Sequence, residues 1–411
     1  MKTIRLLILL AALLSLIIGY AGRALLPGKK VDEAIYLKEL APGAVFSAKQ
    51  GSPPHYRTGN GTVAFNTYDV VPSIRGYAGP VKTLIALDRE GRILGLKILD
   101  HRETKNYIHY METPGYLSRF IGKMAGDAFE VDKDIDGITR ATVSVEALAK
   151  TVKESSRTVA KNVLGLEIRE EEKGPRGNAK WISYVLLFSF ALTSYFMTRK
   201  SRKLLRLRDM SLLAGLLVTG LYLSSPFSIL QVFNLVLFRP SSSFLWYVIV
   251  GSTLISVFAS GRFYCGWLCP FGALSEFIGR LRVRKWVIPV ETDDAWRRLK
   301  YALLAAASVI VLVSGRVDYG NYETYITAFS FHGNVLAWIL VVVTLLANLR
   351  VERFWCRYLC PVAAFTGILT RETQGYPSGK DCPMANKPAP LISECIRCNR
   401  CYRGERSSGH R

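Results

Sequence analysis

The chain has 411 residues, of which half are apolar and about a fifth are charged, so it exceeds one ordinary domain and lies between the soluble and integral membrane classes. Its net charge of +22 is unevenly distributed, because residues 178–411 hold 28 basic and 12 acidic residues while residues 28–177 hold 23 and 20. An excess of this kind is typical of the cytoplasmic loops of a membrane protein. We expect no nucleic-acid partner, since no basic, aromatic-rich stripe occurs on a soluble part of the sequence.

Six apolar runs predict six membrane-spanning helices. Several are shorter than the about 20 residues that cross a bilayer, but their flanks are apolar or aromatic enough to extend them. The runs are Leu6–Tyr20, Trp181–Thr198, Met210–Leu223, Phe244–Ser260, Tyr301–Ser314 and Val335–Leu349. The first run lies in segment 1–27, which has a short basic start and is predicted to be a membrane anchor or a signal segment.

Lysine and arginine residues indicate the orientation of these helices, because basic loops stay in the cytoplasm. The loops after the second and fourth runs are rich in them. The loop between the third and fourth runs and the loop between the fifth and sixth carry almost no net positive charge. Both termini are therefore predicted to lie in the cytoplasm of a bacterium or archaeon, with residues 28–178 outside the cytoplasmic membrane.

The exported segment 28–178 is predicted to be an α+β domain. Two apolar, β-rich stretches, 81–87 and 93–99, are joined by Asp88–Gly91, whose composition is that of a turn, so they predict a β-hairpin. An amphipathic helix is predicted to begin near Thr142, because apolar residues recur at helical spacing after it.

Immediately before this helix, residues 136–142 read Asp-Gly-Ile-Thr-Arg-Ala-Thr. This stretch resembles the flavinylation signature of FMN-binding domains in Rnf and Nqr electron-transfer subunits and in NosR/NirI-type proteins. The resemblance implies FMN joined through its phosphate to the Thr142 hydroxyl. It also implies that the matching positions belong to the FMN site, namely Asp136, Thr139 and Ala141.

The match has one departure, since Arg140 stands where the family usually has glycine. A helix N-terminus favours a phosphate, through its unpaired N–H groups and its dipole. The alternative is a polar turn with a capping threonine. Two further stretches, Gly76–Pro80 and Glu112–Gly115, resemble the same domain. Covalent attachment would require a flavin transferase as a partner.

All eight cysteines lie in the last 147 residues, in two sets of four. The first set is a duplicated Cys-x-x-x-Cys-Pro motif, at Cys265 and Cys269 and again 91 residues later at Cys356 and Cys360. Each copy follows an apolar run and precedes another apolar stretch, so the chain contains an internal repeat. Packing of the two copies about a pseudo-twofold axis would bring the four sulfurs together near the cytoplasmic interface.

Cysteines four positions apart share one face of a helix, and the proline that follows interrupts or redirects the chain. Four converging thiolates suit an iron–sulfur cluster, zinc or copper(I), and reducible thiols or buried structural cysteines are alternatives. The first copy, Cys-Gly-Trp-x-Cys-Pro-Phe-Gly, and the second, Cys-x-x-Leu-Cys-Pro, resemble the membrane module of NosR/NirI, NapH and related polyferredoxin-like proteins. Joined to the exported domain, they resemble NosR/NirI and PceC-type proteins over nearly the whole chain.

The second set of cysteines lies in the predicted cytoplasmic tail, at Cys382, Cys395, Cys398 and Cys401. The close spacing of the last three is that of a loop that wraps a 4Fe-4S cluster. Position 405 is a glutamate, so Cys382 is expected to be the fourth ligand. One such cluster is predicted in the tail, and a structural zinc site is the alternative.

Four segments are therefore predicted: the anchor or signal segment 1–27, the exported FMN-binding domain 28–178, a membrane domain 179–375 and an iron–sulfur tail 376–411. Their order predicts electron transfer across the membrane, with a further iron–sulfur or other metal centre at the duplicated motif. The resemblance implies an exported partner, a terminal reductase or its maturation system, and a quinol or ferredoxin-like donor. The sequence leaves open whether the chain is an enzyme. The alternatives are a redox-sensing regulator or assembly factor and a copper or thiol reductase.

Overall fold

The computed structural model describes residues 17–19, 32–40, 43–76, 79–101, 103, 108–109, 111–131, 134–135, 142–168, 180–281, 284–370, 382, 384 and 394–400. Residues 32–168 contribute an N-terminal domain of strands and helices, and residues 180–370 contribute a helical domain. Residues 394–400, here called the tail segment, pack against the helical domain.

Four strands form one antiparallel sheet in the N-terminal domain: β1 Tyr56–Arg57, β2 Val63–Asn66, β3 Val81–Leu87 and β4 Ile93–His101. Strands that are adjacent in the sequence are adjacent in the sheet. The predicted hairpin of β3 and β4 is confirmed. Asp88 closes its turn by accepting bonds from the backbone N–H of Glu90 at 3.0 Å and of Arg92 at 2.7 Å. Gly91 supplies the positive φ, 81°, that the turn requires.

Helices cover both faces of this sheet. They are α1 Glu33–Leu40, α2 Thr67–Val70, α3 Pro114–Leu117, which a 3₁₀ turn at Ser118–Phe120 extends, and α4 Thr142–Asn162. Successive side chains of β3 alternate between the faces, so Leu84 belongs to a buried cluster with Leu37 of α1, while Ile85 belongs to the larger buried cluster that includes Leu148 of α4. Full burial of a side chain such as Ile85 contributes about 1.5–3 kcal/mol. The predicted start of the amphipathic helix at Thr142 is confirmed.

The helical domain follows. Its helices are α5 Lys180–Lys200, α6 Leu205–Gly215, α7 Ile229–Val236, α8 Phe244–Ser260, α9 Phe263–Trp267, α10 Pro270–Gly279, α11 Val290–Ser314, α12 Thr324–Ser330, α13 Val335–Arg350, α14 Phe354–Tyr358 and α15 Pro361–Leu369. A π-helical segment, Leu216–Tyr222, continues α6, and 3₁₀ turns lie at Arg202–Leu204 and Val317–Gly320.

The internal repeat of the sequence is also present in the structure. The helices α8, α9 and α10 begin at residues 244, 263 and 270, and α13, α14 and α15 begin at the same positions shifted by 91 residues. One detail of the prediction is wrong, because the two cysteines of a copy do not share one helix. In the first copy α9 ends at Trp267, and Cys269 is the N-cap of α10. Proline suits the first turn of a new helix, so the helix break falls between the two cysteines.

Within the described residues, one helix, α5, is long and apolar enough to cross a membrane. The helices α12 and α13 pass the same test only as a pair, bent by 103° at the break between them, and α8 is apolar but has 17 residues. The 25 residues of α11 include Asp293, Arg297 and Lys300 near its start, which shortens its apolar part. The count of six spans therefore stays a prediction.

Part of the predicted N-terminal anchor packs against α11. A Cβ on Gly19 would lie 1.9 Å from the backbone oxygen of Leu312, so the two backbones are in close contact at this glycine. Small residues allow such close approach between helices in membranes. The remainder of the first apolar run lies outside the described residues.

Candidate functional site

Thr142, the predicted attachment residue for FMN, is the first residue of α4. The other three predicted residues of the FMN site, Asp136, Thr139 and Ala141, lie outside the described residues. The amides of the first turn of a helix have no partner within the helix, so this position can receive a phosphate. Covalent attachment of FMN at Thr142 stays a prediction.

The first turn of α4 is tied to the segment before β3 by a buried carboxylate. Glu103 is 1% exposed and accepts hydrogen bonds from Ser144 Oγ at 2.6 Å and from the backbone N–H of Gly79 at 3.2 Å. A Cβ on Gly76 would lie 2.3 Å from Glu103 Oε1 and 3.4 Å from the Cα of Ser144. Glycine at position 76 therefore lets this backbone approach α4 closely.

The N-terminal domain contacts the helical domain next to this position. The backbone N–H of Arg75 donates to Ser242 Oγ at 2.9 Å, and the Ser242 N–H donates to the Arg75 carbonyl at 3.1 Å. The Ser241 hydroxyl donates to the same carbonyl at 3.4 Å. In a second contact, the rings of His109 and His332 stack in parallel with centroids 4.0 Å apart. We call residues 237–243 and 331–334 the domain-side end of the helical domain.

The four cysteines of the repeat line one cavity inside the helical domain, as the prediction required. Cys265 and Cys269 come from the first copy, and Cys356 and Cys360 come from the second. The rest of the wall is aromatic, aliphatic or proline: Pro226, Phe227, Pro270, Phe271, Tyr325, Trp355, Val362 and Ala363. A cavity with this lining limits the access of water, and solvent exposure is one of the factors that set the reduction potential of an iron–sulfur cluster.

The two copies present their second cysteine in the same way. Cys269 Sγ accepts from the backbone N–H of Gly272 at 3.4 Å, and Cys360 Sγ accepts from that of Ala363 at 3.4 Å. Each sulfur thus lies at the N-terminus of a helix, where unpaired N–H groups favour a thiolate. Within the described residues, no group of three or more metal-binding side chains is arranged to hold a single metal ion.

Buried cations surround this cavity on the side of the tail segment. Arg353 Nη1 donates to the Cys265 carbonyl at 2.7 Å and so joins the second copy to the first. The charges of Arg353, Arg262 and Lys300 all act on Cys356. The four sulfurs are a donor set that fits an iron–sulfur cluster, and because a thiolate-ligated cluster carries net negative charge, these cations would offset that charge.

The tail segment lies over the first copy of the repeat. Trp267 Nε1 donates to the Arg397 carbonyl at 3.0 Å, and Asn399 Nδ2 donates to the Tyr195 carbonyl at 3.0 Å. Glu394 accepts from Lys300 Nζ at 2.6 and 2.7 Å and from Arg262 at 3.1 Å.

The structure describes three of the four predicted tail ligands. Cys395 and Cys398 lie in the tail segment, Cys382 is partly buried, and Cys401 lies outside the described residues. The chain near Cys382 approaches the tail segment through Arg297, which donates to the Met384 carbonyl and lies 3.7 Å from Glu394. The geometry of a complete four-cysteine site stays a prediction.

A second buried carboxylate, Glu276 of α10, gathers four arginines. It pairs with Arg208 at 2.7 Å, Arg353 at 2.7 Å, Arg280 at 2.7 Å and Arg400 of the tail segment at 2.6 Å. Burial alone would raise the pKa of Glu276, but the arginines, Arg208 foremost, hold it well below its usual value. Glu276 is therefore a fixed negative charge.

Glu394 behaves in the same way. Burial opposes its ionisation, but Lys300 and Arg262 lower its pKa to about 2. We call the region around these two carboxylates, at residues 261–300 and 350–358, the tail-side end of the helical domain.

The sequence did not identify these ion pairs as parts of the site. Arg208, Arg262 and Lys300 were interpreted there as basic loop residues, yet each is buried and paired with Glu276 or Glu394. One signal was present, since Arg262 and Arg353 occupy the same position in the two copies of the repeat. Their acidic partners are distant in the sequence and have no comparable pattern.

Two family models match the chain. An FMN-binding domain matches residues 76–156, and a 4Fe-4S binding domain matches residues 242–289 and 331–375. The FMN-binding match includes Thr142. The 4Fe-4S match includes Cys265, Cys269, Cys356 and Cys360, whereas the cysteines of the tail lie outside it. The chain therefore has FMN-binding and 4Fe-4S domains, and the cluster in the tail stays a prediction.

Curated proteins are similar to parts of the chain. The regulatory protein NosR of Pseudomonas aeruginosa is 29% identical over 204 residues, which are 45% of this chain and 28% of NosR. The protein NirI of Paracoccus denitrificans is 31% identical over 166 residues, 34% of this chain and 24% of NirI. The methylamine utilization ferredoxin-type protein MauN of Methylorubrum extorquens is 27% identical over 160 residues, 38% of this chain and 52% of MauN.

The matched part of the chain thus spans less than two thirds of the length of each of these relatives. Within that limit, the same chain carries both domain types and is similar to both NosR and NirI. This combination is the one that the sequence motifs predicted. The two domains, together with the similarity to NosR and NirI, support a flavin and iron–sulfur protein of the NosR/NirI type.

Proposed function

We propose that the chain transfers electrons across the cytoplasmic membrane, between FMN held outside by Thr142 and iron–sulfur centres held by the two cysteine sets. One observation carries the proposal: a continuous series of contacts leads from the N-terminus of α4, through the four-cysteine cavity, to the tail segment. Bound FMN and clusters would supply the redox chemistry. The chain's residues would fix the positions and the surroundings of these groups.

The first part of this series joins α4 to the domain-side end. Gly76 lies against Ser144 in the first turn of α4, and the adjacent Arg75 bonds to Ser241 and Ser242. The predicted FMN attachment site therefore belongs to the side of the N-terminal domain that faces the helical domain. An electron leaving or reaching this site need not pass through the β-sheet.

The second part crosses from the domain-side end to the cavity. The helix α7 connects Phe227, in the cavity wall, with the loop that contacts Arg75. Its 8 residues correspond to about 12 Å. Another short helix, α12, runs in the same way from Tyr325 of the cavity wall to the segment of His332, which contacts the N-terminal domain. Both routes are short.

The third part joins the cavity to the tail segment. Cys265 and Trp267 lie in the same short helix, α9, so one side of this helix contributes to the cavity while Trp267 bonds to Arg397. Arg262, just before α9, interacts electrostatically with Cys265. It also pairs with Glu394, the neighbour of Cys395. One short helix, α9, therefore contacts both the cavity and the tail segment, which supports a short path between the two cysteine sets.

A lipid environment is supported by the surface of the helical domain. Large apolar side chains are exposed on α5, α8 and α13, among them Leu186, Ile255 and Leu336 at 66%, 70% and 72%. Contiguous exposed apolar surface is unfavourable in water and is typical of surfaces that contact lipid or partners. The excess of basic residues around the tail-side end supports a cytoplasmic location for that end.

The partners are proposed from the resemblance to NosR/NirI-type proteins. The proposed exported partner is a terminal reductase or its maturation system, and the proposed donor is a quinol or a ferredoxin-like carrier on the membrane or cytoplasmic side. A flavin transferase is the proposed source of covalent FMN. The proposed segments are an anchor at residues 1–27, an exported domain at residues 28–178, a membrane domain at residues 179–375 and a tail at residues 376–411.

The test uses the full-length protein in sealed vesicles with ferricyanide trapped inside and dithionite added outside. Wild-type protein is expected to reduce the trapped ferricyanide, and Thr142→Ala is expected to lose both the FMN mass on the peptide containing residue 142 and this transfer. Thr158→Ala, on an exposed part of the same helix, is the control and should keep both. Equal transfer by wild type and Thr142→Ala, or none by fully loaded wild type, would contradict the proposal.

A further inference from the structure

The two copies of the repeat carry equivalent arginines, but these arginines pair with carboxylates from different parts of the chain, one from the repeat and one from the tail segment. Arg262 and Arg353 are 91 residues apart, and each lies three residues before the first cysteine of its copy. Arg353 of the second copy pairs with Glu276 of the first at 2.7 Å. A symmetric repeat would pair Arg262 with the residue equivalent to Glu276 in the second copy, but that residue is Gly367.

The tail segment supplies the carboxylate for Arg262. Glu394 pairs with Arg262 at 3.1 Å and with Lys300 at 2.6 Å, and it also accepts from Tyr301 Oη at 3.2 Å. Glu394, Arg262 and Lys300 are all at most 1% exposed. Two buried cations of the helical domain therefore depend on a residue of the tail for their counter-charge.

The first copy is also shaped to receive the tail segment, and the second is not. Gly266 leaves room for the Ile396 carbonyl, since a Cβ at position 266 would lie 1.9 Å from that oxygen. Trp267 donates to the next carbonyl, that of Arg397, at 3.0 Å. The equivalent residues of the second copy, Arg357 and Tyr358, instead bond to Asp293 of α11.

Contacts at the other end of the tail segment complete its attachment. Asn399 Nδ2 donates to Thr198 Oγ1 at 2.8 Å, and Arg400 pairs with Glu276 at 2.6 Å. Between the two ends, Ile396, Arg397 and Cys398 are buried, and Cys395 is partly buried. Cys395 and Cys398 thus lie between contacts that bind the segment to α5, α9, α10 and α11.

We propose that the tail segment is a fixed part of the helical domain, in which Glu394 replaces the carboxylate that the second copy of the repeat lacks and holds Cys395 and Cys398 against the first copy. Glu394 is a positioning residue for the tail ligands. The tail then works as a stationary electron-transfer site and does not detach as a mobile carrier. This inference rests on the proposed function, since it assigns the tail cysteines a place in the same electron path.

Hydrogen–deuterium exchange of the full-length protein in detergent, followed by mass spectrometry, tests the attachment without reference to activity. The amides of residues 395–400 are expected to exchange slowly in wild type and at least roughly tenfold faster in Glu394→Gln, which keeps the shape of the side chain and removes its charge. Glu394→Asp should restore part of the protection. Glu39→Gln, which removes an exposed pair with Lys97, is the control and should change nothing in this segment.

Gly266→Ala tests the same attachment through shape and not through charge, because its added Cβ meets the Ile396 carbonyl. It is also expected to accelerate exchange of residues 395–400. Gly251→Ala is the matched control, since a Cβ at position 251 of α8 meets nothing within 4 Å. Rapid exchange of the segment in wild type, or protection unchanged in both Glu394→Gln and Gly266→Ala, would overturn the inference.

A spectroscopic measurement separates positioning from general stability. The EPR signal of the tail cluster in Glu394→Gln is expected to change in shape or midpoint potential while the iron content per chain stays at the wild-type value. An unchanged signal and potential would overturn the positioning role of Glu394. Iron and FMN content test the proposed function, and hydrogen exchange of residues 395–400 tests the fixed tail. If the clusters were absent but these residues were still protected, the proposed function would fail and the fixed tail would still be supported.

Discussion

The two ends of the helical domain are joined to their neighbours by different physical means. At the domain-side end, Arg75 is held by neutral hydrogen bonds to Ser241 and Ser242, and His109 stacks on His332. At the tail-side end, buried carboxylates and cations join the tail segment to several helices. Neutral contacts at a partly solvated surface are individually weak, whereas breaking a buried ion pair is costly.

This difference indicates where the molecule can adjust. Because the described hydrogen bonds of Arg75 are individually weak, we expect the N-terminal domain to shift relative to the helical domain at a small cost in free energy. The tail segment cannot leave without exposing or isolating Arg262 and Lys300, which are buried and paired with Glu394. We expect the distance between the two cysteine sets to be constant and the distance from Thr142 to the cavity to vary.

The largest expected effect comes from removing the cysteines of the cavity. Replacing Cys265, Cys269, Cys356 and Cys360 with serine should eliminate one cluster, so the iron content should fall from about eight atoms per chain to about four. FMN on Thr142 should be unaffected, because the N-terminal domain contains no cysteine. Iron and labile sulfide assays, with mass spectrometry of the flavin peptide, measure both quantities.

The matched variant replaces Cys382, Cys395, Cys398 and Cys401 with serine and should also retain about four iron atoms per chain. Its remaining EPR signal should differ from that of the cavity variant, because the two sites have different surroundings. Full iron content in either variant would contradict the assignment of one cluster to each cysteine set.

The next effect in size concerns the charge at the tail-side end. Glu276→Gln leaves Arg208 and Arg353 buried without their carboxylate, so we expect it to destabilise the helical domain by about 3–5 kcal/mol. Thermal unfolding in detergent measures the change. Glu39→Gln should change stability by less than about 0.5 kcal/mol, because its pair with Lys97 is exposed. Equal effects of the two substitutions would contradict the high cost expected for breaking the buried pairs of Glu276.

A change of pH should affect the two ends of the helical domain in different pH ranges. Burial and the neighbouring His109 lower the pKa of His332, so this ring is neutral near neutral pH and its protonation in acid is unfavourable. As the pH falls through the lowered pKa of His332, positive charge on this ring should weaken the domain-side contact. The pKa of Glu276 is held well below 4.5, so its contribution to stability is complete above that value and is lost only at lower pH.

Label-to-label distances measure this effect. With spectroscopic labels at Lys150 and Tyr319, both away from the cysteines, the distance distribution should broaden between about pH 7.5 and about pH 5.5. In His332→Ala the distribution should be broad at both values. A wild-type distribution that does not depend on pH in this range would show that the stacked rings do not control the contact.

The smallest expected effect is that of Ser242→Ala. This substitution removes the hydroxyl that accepts the Arg75 N–H but leaves the bond from the Ser242 backbone to the Arg75 carbonyl. We expect a loss of about 0.5–1.5 kcal/mol in the domain-side contact, visible as a broader distance distribution with the same labels. Ser118→Ala, whose hydroxyl bonds locally to Gly115, should leave the distribution unchanged.

The sequence by itself determined the features that depend on neighbouring residues or on repetition. Apolar, β-rich stretches on both sides of Asp88–Gly91 specified the hairpin of β3 and β4, and the recurrence of apolar residues after residue 142 specified the start of α4. The 91-residue offset between Cys265 and Cys356 specified two equivalent helix sets and the gathering of four cysteines. The flavin and iron–sulfur character followed from short motifs of the same local kind.

Only the tertiary structure decided how these parts meet. A helix and a turn satisfy most of their hydrogen bonds within a few residues, so short stretches of sequence encode them. The pairing of Arg262 with Glu394 joins residues 132 positions apart and depends on burial, which no local pattern records. The same holds for the contact of Arg75 with Ser242, 167 positions apart. Arg208, Arg262 and Lys300, which the sequence placed in basic loops, are buried ion-pair partners because the folded chain brings Glu276 and Glu394 to them.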